Sequence, residues 1–93
     1  MQDYGLVSVI MPTYNCGRFI RESIQSVLAQ TYSQWELLIV DDCSTDDTES
    51  IVASFADNRI RYYRNEQNCG AAITRNRALR EAKGQWIAFL DSD

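Results

Sequence analysis

The sequence contains no histidine, no Cys-x-x-Cys pair and no apolar run as long as a membrane span. The absence of histidine and of paired cysteines excludes the familiar zinc sites. An odd number of widely spaced cysteines (Cys16, Cys43 and Cys69) argues against the disulfide framework of a small secreted protein. A bilayer span needs about 20 apolar residues, and the first residues lack the basic and apolar regions of a signal peptide. We therefore expect reduced thiols and a cytoplasmic location.

The sequence also lacks an excess of basic residues. The net charge is −4 and the isoelectric point is near 4.6, whereas a nucleic-acid-binding protein needs a basic face against the phosphate backbone. Nucleic acid is therefore not expected as the main partner. With 93 residues, 45% of them apolar, the chain is expected to form one small domain over residues 1–93 with a modest core.

The spacing of the apolar residues predicts alternating strands and helices. Short, nearly continuous apolar runs predict strands at residues 6–11, 35–40, 60–64 and 86–90. Pro12 is expected to end the first strand, and the third is expected near an edge of the sheet. The other strands are expected to be buried on both faces. This order predicts an α/β fold, with a Rossmann-like, mostly parallel sheet and the sequence β-α-β-α-β-α-β.

Three helices are predicted between these strands. The first covers residues 18–30, the second begins at a capping box formed by Ser44 and Asp47, and the third covers residues 71–83. Gly84 is expected in the left-handed conformation that follows many helix ends. The residues expected to face the core are Ile20, Ile24, Val27 and Leu28 in the first helix, Thr48, Ile51, Val52 and Phe55 in the second, and Ala72, Ala78, Leu79 and Ala82 in the third.

Polar residues directly follow three of the predicted strands. Ligands of parallel sheets collect beyond the carboxyl ends of the strands, so these residues are expected to share one edge and form a site. Simple turns are the alternative explanation, since aspartate is a common turn former. The residues are Pro12, Thr13, Tyr14 and Asn15 after the first strand, Asp41 and Asp42 after the second, and Asp91, Ser92 and Asp93 after the fourth.

The types of these residues suggest two kinds of binding. Crowded carboxylates repel each other unless a cation lies between them, so Asp91 and Asp93 are candidate ligands for Mg²⁺ or Mn²⁺. An ionised Asp42 can accept a hydrogen bond from the ring N–H of uracil or another base, and Tyr14 offers a face for that base to stack on. Asp41 is expected to point the opposite way and to have a structural role. Arg75, near the start of the third helix, is a candidate for binding diphosphate or an exposed helix residue.

Four segments together resemble the successive motifs of family 2 glycosyltransferases. They are SVIMPTYN at residues 8–15, VDDCSTDDT at 40–48, NCGAAITRNRAL at 68–79 and IAFLDSD at 87–93. The resemblance covers almost the whole chain and implies the GT-A fold. It also implies binding of a nucleotide-diphospho-sugar, commonly UDP-linked, and inversion at the anomeric carbon.

The resemblance also implies roles for individual residues. Pro12, Thr13, Tyr14 and Asp42 would bind the nucleotide-sugar, with Tyr14 stacking on the base and Asp42 bonded to the uracil ring. Arg75 would lie near the diphosphate, with Thr74 in place of the family's alanine. Asp91 and Ser92 would lie at the ribose or the sugar, and Asp93 belongs to the metal-binding Asp-x-Asp. Relatives often have one more aspartate after this triplet, and that residue can be the principal metal ligand.

The family pattern continues beyond the segment that this sequence matches. The general base and the part that binds a saccharide or lipid-linked acceptor are expected downstream, so no catalytic residue is assigned here. The 93-residue chain is expected to be a donor-binding half, truncated after the fourth strand and inert alone. A full-length parent is expected in the cytoplasm or at the inner face of the membrane.

Three other classes of protein or fragment are alternatives to this interpretation. A signalling receiver domain would need an aspartate after the third strand, where Asn65 stands. A dinucleotide-binding domain would need Gly-x-Gly-x-x-Gly after the first strand, where only Gly17 occurs. A non-catalytic fragment that self-associates through an uncovered sheet edge remains open.

Overall fold

The computed structural model describes residues 5–91, so Ser92 and Asp93 lie outside the described residues. The strands are β1 (Val7–Thr13), β2 (Trp35–Asp41), β3 (Ile60–Arg64) and β4 (Trp86–Phe89), and the helices are α1 (Ile20–Ala29), α2 (Thr48–Ala53) and α3 (Ala71–Glu81). All the strands are parallel, in the order β3-β2-β1-β4. The expected α/β fold is therefore confirmed, with β3 at an edge of the sheet.

Helices cover both faces of the sheet. On one face the inward side chains of β1 and β2 pack with α1 and α2, and on the other face α3 packs across the same two strands. Ile20, Ile24 and Val27 of α1 are buried, as their spacing predicted. The two central strands are therefore covered on both sides, which explains why β2 is buried along its whole length.

Pro12 does not end β1, which continues to Thr13. Alternate residues of a strand direct their backbone groups to opposite sides. The carbonyl of Thr13 faces β2 and accepts from Asp42, and that of Ile10 faces β4 and accepts from Leu90. The nitrogen of Pro12 therefore faces the β4 side, where the ladder with β1 has already ended at Phe89. The proline therefore removes no donor from the ladder with β2, which continues to the pair Thr13 and Asp41.

The predicted start of the second helix was wrong. Ser44 donates its backbone N–H and its hydroxyl to Asp41 Oδ1, at 2.9 and 2.5 Å, and so takes no part in a capping box. Asp47 is the N-cap residue, without a side-chain capping bond. The first turn of α2 is held instead by Asp46, which accepts from the backbone N–H and the hydroxyl of Thr48.

The predicted inward face of α3 was also partly wrong. Thr74 and Ala78, four residues apart, are the buried positions, whereas Ala72 is exposed and Leu79 is 37% exposed. A small hydroxyl side chain packs against the sheet here because its oxygen has buried hydrogen-bond partners.

Two further expectations concern the chain after α3, and both were wrong. Gly84 is not left-handed, since Gly5 and Gly70 are the glycines with positive φ among residues 5–91. Strand β4 is not buried in the described part of the chain: Trp86, Ile87 and Phe89 are 60%, 44% and 61% exposed. The expectation of self-association rests on this uncovered apolar edge and stays a prediction. No helix in residues 5–91 has the length and apolar character of a membrane span.

Candidate nucleotide-binding cleft

A cleft of about 400 Å³ opens at the carboxyl ends of β1 and β2 and faces the start of α3. Four of the residues selected from the sequence line it: Pro12, Thr13, Tyr14 and Asp42. The remaining lining residues were not predicted from the sequence; they are Cys16, Asn68, Gly70, Ala71 and Thr74. The topology therefore brings the ends of two strands and one helix together around a single space.

Tyr14 has an accessible side chain on one wall of the cleft. It is 49% exposed and follows directly after β1. The next residue, Asn15, adopts a left-handed backbone with φ of 49°. Asn15 donates its N–H to Ser44 Oγ at 2.8 Å, and its side-chain oxygen accepts from the N–H of Thr45 at 2.7 Å. The loop after β1 is thus tied to the loop after β2, which limits how far Tyr14 can move.

Asp42 lies deeper in the cleft and is 5% exposed. Its Oδ1 accepts from Asn65 Nδ2 at 2.9 Å and from the N–H of Cys69 at 2.7 Å, and its Oδ2 accepts from the N–H of Gly70 at 2.9 Å. Burial alone would raise the pKa of Asp42, but these hydrogen bonds outweigh it and lower the pKa. The carboxyl group is therefore ionised at neutral pH and acts only as an acceptor.

Asp41 has the opposite orientation, as expected. Its fully buried carboxylate accepts from Ser44, from the hydroxyl of Tyr62 and from Arg64 Nη1. Burial and the hydrogen bond to Asp41 raise the pKa of Tyr62, so its hydroxyl stays a donor. These contacts join the ends of β2 and β3 and give Asp41 a structural role.

The remaining site candidates are not part of the cleft wall. Arg75 is exposed on α3 and does not line the cleft. Asp91 is exposed, and its backbone carbonyl accepts from Ser23 Oγ at 3.3 Å. Ser92 and Asp93 fall outside the described residues. Within residues 5–91, no group of three or more acidic, cysteine or histidine side chains could hold a metal ion.

Asn65 was not among the site residues predicted from the sequence, although it contacts residues of the cleft wall. It is 6% exposed, directly follows β3 and touches both Asp42 and Thr74. The rule that selected Pro12 and Asp42 could have selected Asn65 too, because Asn65 also stands at the carboxyl end of a strand.

Fold and cleft together define a Rossmann-like α/β domain with its ligand cleft at the carboxyl edge of a parallel sheet. A model of the family described as glycosyl transferase family 2 matches residues 8–93, and the chain belongs to that family.

Curated relatives carry glycosyltransferase names. The chain is 56% identical over 93 residues to the Escherichia coli protein WfgD, named as a UDP-Glc:alpha-D-GlcNAc-diphosphoundecaprenol beta-1,3-glucosyltransferase. It is 50% identical over 90 residues to TuaG of Bacillus subtilis, named as a putative teichuronic acid biosynthesis glycosyltransferase. These matches cover 100% and 95% of the chain but 36% of each relative. The chain therefore spans about a third of the length of these relatives.

Solved structures agree with the fold. S. aureus TarS 1–349 in complex with UDP-GlcNAc superposes with a TM-score of 0.90 at 38% identity, over 94% of this chain and 26% of TarS. The mannosyltransferase PcManGT from Pyrobaculum calidifontis, in complex with GDP-Man and Mn²⁺, superposes with a TM-score of 0.88 at 33% identity. That match covers 96% of this chain and 28% of PcManGT. The structural neighbours are GT-A glycosyltransferases, so the GT-A fold implied by the resemblance is confirmed.

Proposed function

We propose that the chain binds the nucleotide end of a nucleotide-diphospho-sugar, UDP-linked, in the cleft between Tyr14 and Asp42. In the full-length protein this segment would present the donor of an inverting glycosyltransferase to a saccharide or lipid-linked acceptor. The acceptor hydroxyl would attack the anomeric carbon while the nucleoside diphosphate departs. The general base that takes the hydroxyl proton is expected beyond this chain, and the cytoplasmic location stays a prediction.

The pairing of Tyr14 with Asp42 in one cleft carries this proposal. A half-exposed aromatic ring offers a stacking face, and a buried, ionised carboxylate offers an acceptor. Uracil has a flat ring and a ring N–H between two carbonyls, so it can use both features. The solved structures of TarS and PcManGT are complexes with UDP-GlcNAc and GDP-Man, both of which have a base with a ring N–H. The comparisons do not support the alternative of a fragment without a binding role.

We also propose that the full-length protein uses a divalent cation, Mg²⁺ or Mn²⁺. The candidate ligands are Asp91 and Asp93, and the described residues alone do not form a metal site. The presence of Mn²⁺ with PcManGT supports the expectation for the family. No step of the proposed binding depends on the ion, since Tyr14 and Asp42 act on the base. Arg75 is accessible on α3 and remains the candidate for the diphosphate.

Calorimetric titration with UDP, with and without Mn²⁺, tests the proposal. Tyr14→Ala should weaken UDP binding by about 10- to 100-fold, because stacking of a base on an aromatic ring contributes about 1–3 kcal/mol. Tyr14→Phe keeps the ring and should bind like the wild type. Tyr14 is preferred to Asp42 for this test because Asp42 also holds the loop at residues 65–70 in place.

Phe19→Ala is the matched control. Phe19 is an aromatic residue of similar exposure, 44%, and it does not line the cleft. Its replacement should leave the UDP affinity unchanged. No heat of binding at millimolar UDP, or an equal loss in the Tyr14→Ala and Phe19→Ala variants, would contradict the proposal.

A further inference from the structure

Behind the cleft, Asn65 belongs to a closed ring of hydrogen bonds that joins the ends of β2 and β3 to the start of α3. We propose that Asn65 is a positioning residue that aims the Asp42 carboxylate at the nucleotide base, and that Arg77 holds the Asn65 amide in the orientation this requires. The inference rests on the proposed function, because it takes the base to be the group that meets Asp42. It adds a determinant of base selectivity that does not itself line the cleft.

Asn65 is well placed for this role. Its backbone N–H donates to the carbonyl of Asp41 at 2.8 Å, which fixes its main chain beside the end of β2. Its side-chain nitrogen donates to Asp42 Oδ1 at 2.9 Å and to Thr74 Oγ1 at 3.1 Å. Both amide hydrogens are thus used on buried partners.

The orientation of the amide follows from its neighbours. Arg77 Nη1 lies 2.8 Å from Asn65 Oδ1, and a guanidinium can only donate, so that atom must be the oxygen. Thr74 donates its hydroxyl hydrogen to the carbonyl of Gly70 at 2.8 Å and therefore accepts from Asn65. A flipped amide would face oxygen to oxygen with Asp42 and nitrogen to nitrogen with Arg77. Arg77 thus prevents the flip.

The ring closes through Gly70, whose N–H donates to Asp42 Oδ2 at 2.9 Å. Asp42 Oδ1 receives two donors, from Asn65 and Cys69, whereas Oδ2 receives one. The hydroxyl of Thr74 also lies near this carboxyl group, but its single hydrogen is donated to the carbonyl of Gly70. A carboxylate oxygen offers about two acceptor sites, so one site on Oδ2 is left for a ligand in the cleft. The ring therefore determines which oxygen, and which direction, meets the base.

This arrangement predicts a preference among bases. The ring nitrogen N3 of uracil carries a hydrogen and can donate to the free site on Oδ2. The same atom of cytosine has a lone pair and would face the carboxylate without a hydrogen between them. UDP and CDP have the same diphosphate, so their ratio of dissociation constants reports the base contact alone.

The experiment measures that ratio by calorimetry at pH 7.5 in the wild type and in Asn65→Ala, Arg77→Met and Asn58→Ala. Asn65→Ala should reduce the preference for UDP over CDP by about tenfold, since a hydrogen bond to a charged group is lost. Arg77→Met should reduce it less, because Asn65 remains. Asn58, exposed at the opposite end of β3, undergoes the same chemical change and should leave the ratio unaltered.

The ratio separates positioning from folding. Partial unfolding lowers the apparent affinity for both nucleotides by the same factor, so a merely structural role for Asn65 leaves the ratio unchanged. A wild type that prefers UDP, together with an unaltered preference in Asn65→Ala, would overturn the inference and leave the proposed function standing.

A second measurement does not depend on nucleotide binding. The carboxyl carbon of Asp42, followed by NMR in the ligand-free protein as the pH is lowered, should titrate at higher pH in Asn65→Ala than in the wild type. If the wild type failed to distinguish UDP from CDP, the proposed base contact would be wrong. An unchanged titration of Asp42 would then overturn the inference as well.

Discussion

Replacing Glu36 with glutamine should destabilise the domain far from the cleft. Glu36 is a buried acid in β2. Its Oε2 accepts from Ser8 Oγ at 2.6 Å and from the N–H of Lys83 at 2.7 Å, and its Oε1 accepts from Arg61 Nη1 at 2.8 Å. These contacts connect β1, β2 and β3 with the segment after α3. Glutamine has the same shape but presents an NH₂ group where one of these donors needs an acceptor.

The expected loss follows from the number of contacts and their exposure. A hydrogen bond to a charged group contributes about 1.5–3 kcal/mol, and breaking a buried ion pair costs about 3–5 kcal/mol. The side chains of Arg61 and Glu36 are 25% and 8% exposed, so water can recover part of the loss at Arg61. We expect Glu36→Gln to lower the free energy of unfolding by about 2–3 kcal/mol.

Urea denaturation at pH 7, followed by circular dichroism, measures this effect. With a slope near 1 kcal/mol per molar urea for a small domain, the midpoint should fall by about 2–3 M. Glu66→Gln, the same change at an exposed position, should leave the midpoint within about 0.5 M of the wild type. A shift in Glu36→Gln no larger than in this control would refute the reasoning.

The pH dependence gives an independent check. Burial would raise the pKa of Glu36, but the hydrogen bonds from Ser8, Lys83 and Arg61 and the charge of Arg61 lower it below the ordinary value of 4.5. A lowered pKa contributes stability that is complete above the unfolded value and lost as the pH falls through the folded value. The difference in the free energy of unfolding between the wild type and Glu36→Gln should therefore be constant at neutral pH and shrink below about pH 4.5. A difference that grows on acidification would contradict this assignment.

Two further predictions concern the loops. Asn15→Ala should lower the free energy of unfolding by about 2 kcal/mol and weaken UDP binding, because it removes the hydrogen bond to Thr45 and leaves alanine in a left-handed backbone. Asn15→Gly removes the same bond without the backbone strain and should lower it by about half as much. Equal losses for the two variants in urea denaturation would contradict the contribution of the backbone. Gly84→Ala should cost about 2–3 kcal/mol, because its Cβ would lie 2.5 Å from Ser8 Oγ. Gly70→Ala meets no atom within 4 Å but should cost about 1–3 kcal/mol through its backbone alone, because φ of 93° and ψ of 163° are essentially restricted to glycine. A Gly84→Ala variant as stable as the wild type in thermal denaturation would refute the steric argument.

The sheet could be predicted from the sequence because the apolar pattern depends mainly on burial. The run WELLIV at residues 35–40 is apolar enough to be buried on both faces, and it forms β2, one of the two central strands. The run WIAFL at residues 86–90 has the same character, yet β4 is an edge strand with exposed side chains. Apolar composition indicates that a surface needs covering, but it does not indicate which part of the structure covers it.

Errors at the element ends have a different cause, which is competition among polar side chains. Ser44 and Asp47 have the spacing of a capping box, but a buried Asp41 is the better partner for the Ser44 hydroxyl. Likewise Thr74 faces the sheet together with Ala78, because Asn65 and Gly70 satisfy its hydroxyl. Such partners are distant in sequence, so local patterns do not reveal them.

The neighbouring acids Asp41 and Asp42 show how much of the site topology alone determines. Successive side chains of a strand point to opposite faces, so Asp41, the last residue of β2, and Asp42, which follows it, are expected to point apart. Asp41 uses its oxygens on Ser44, Tyr62 and Arg64 and joins β2 to β3. Asp42 faces α3 and keeps one acceptor site toward the cleft. The division of roles between the two acids could be predicted from their order, but the partner that aims Asp42 could not, because Asn65 reaches it across 23 residues of sequence.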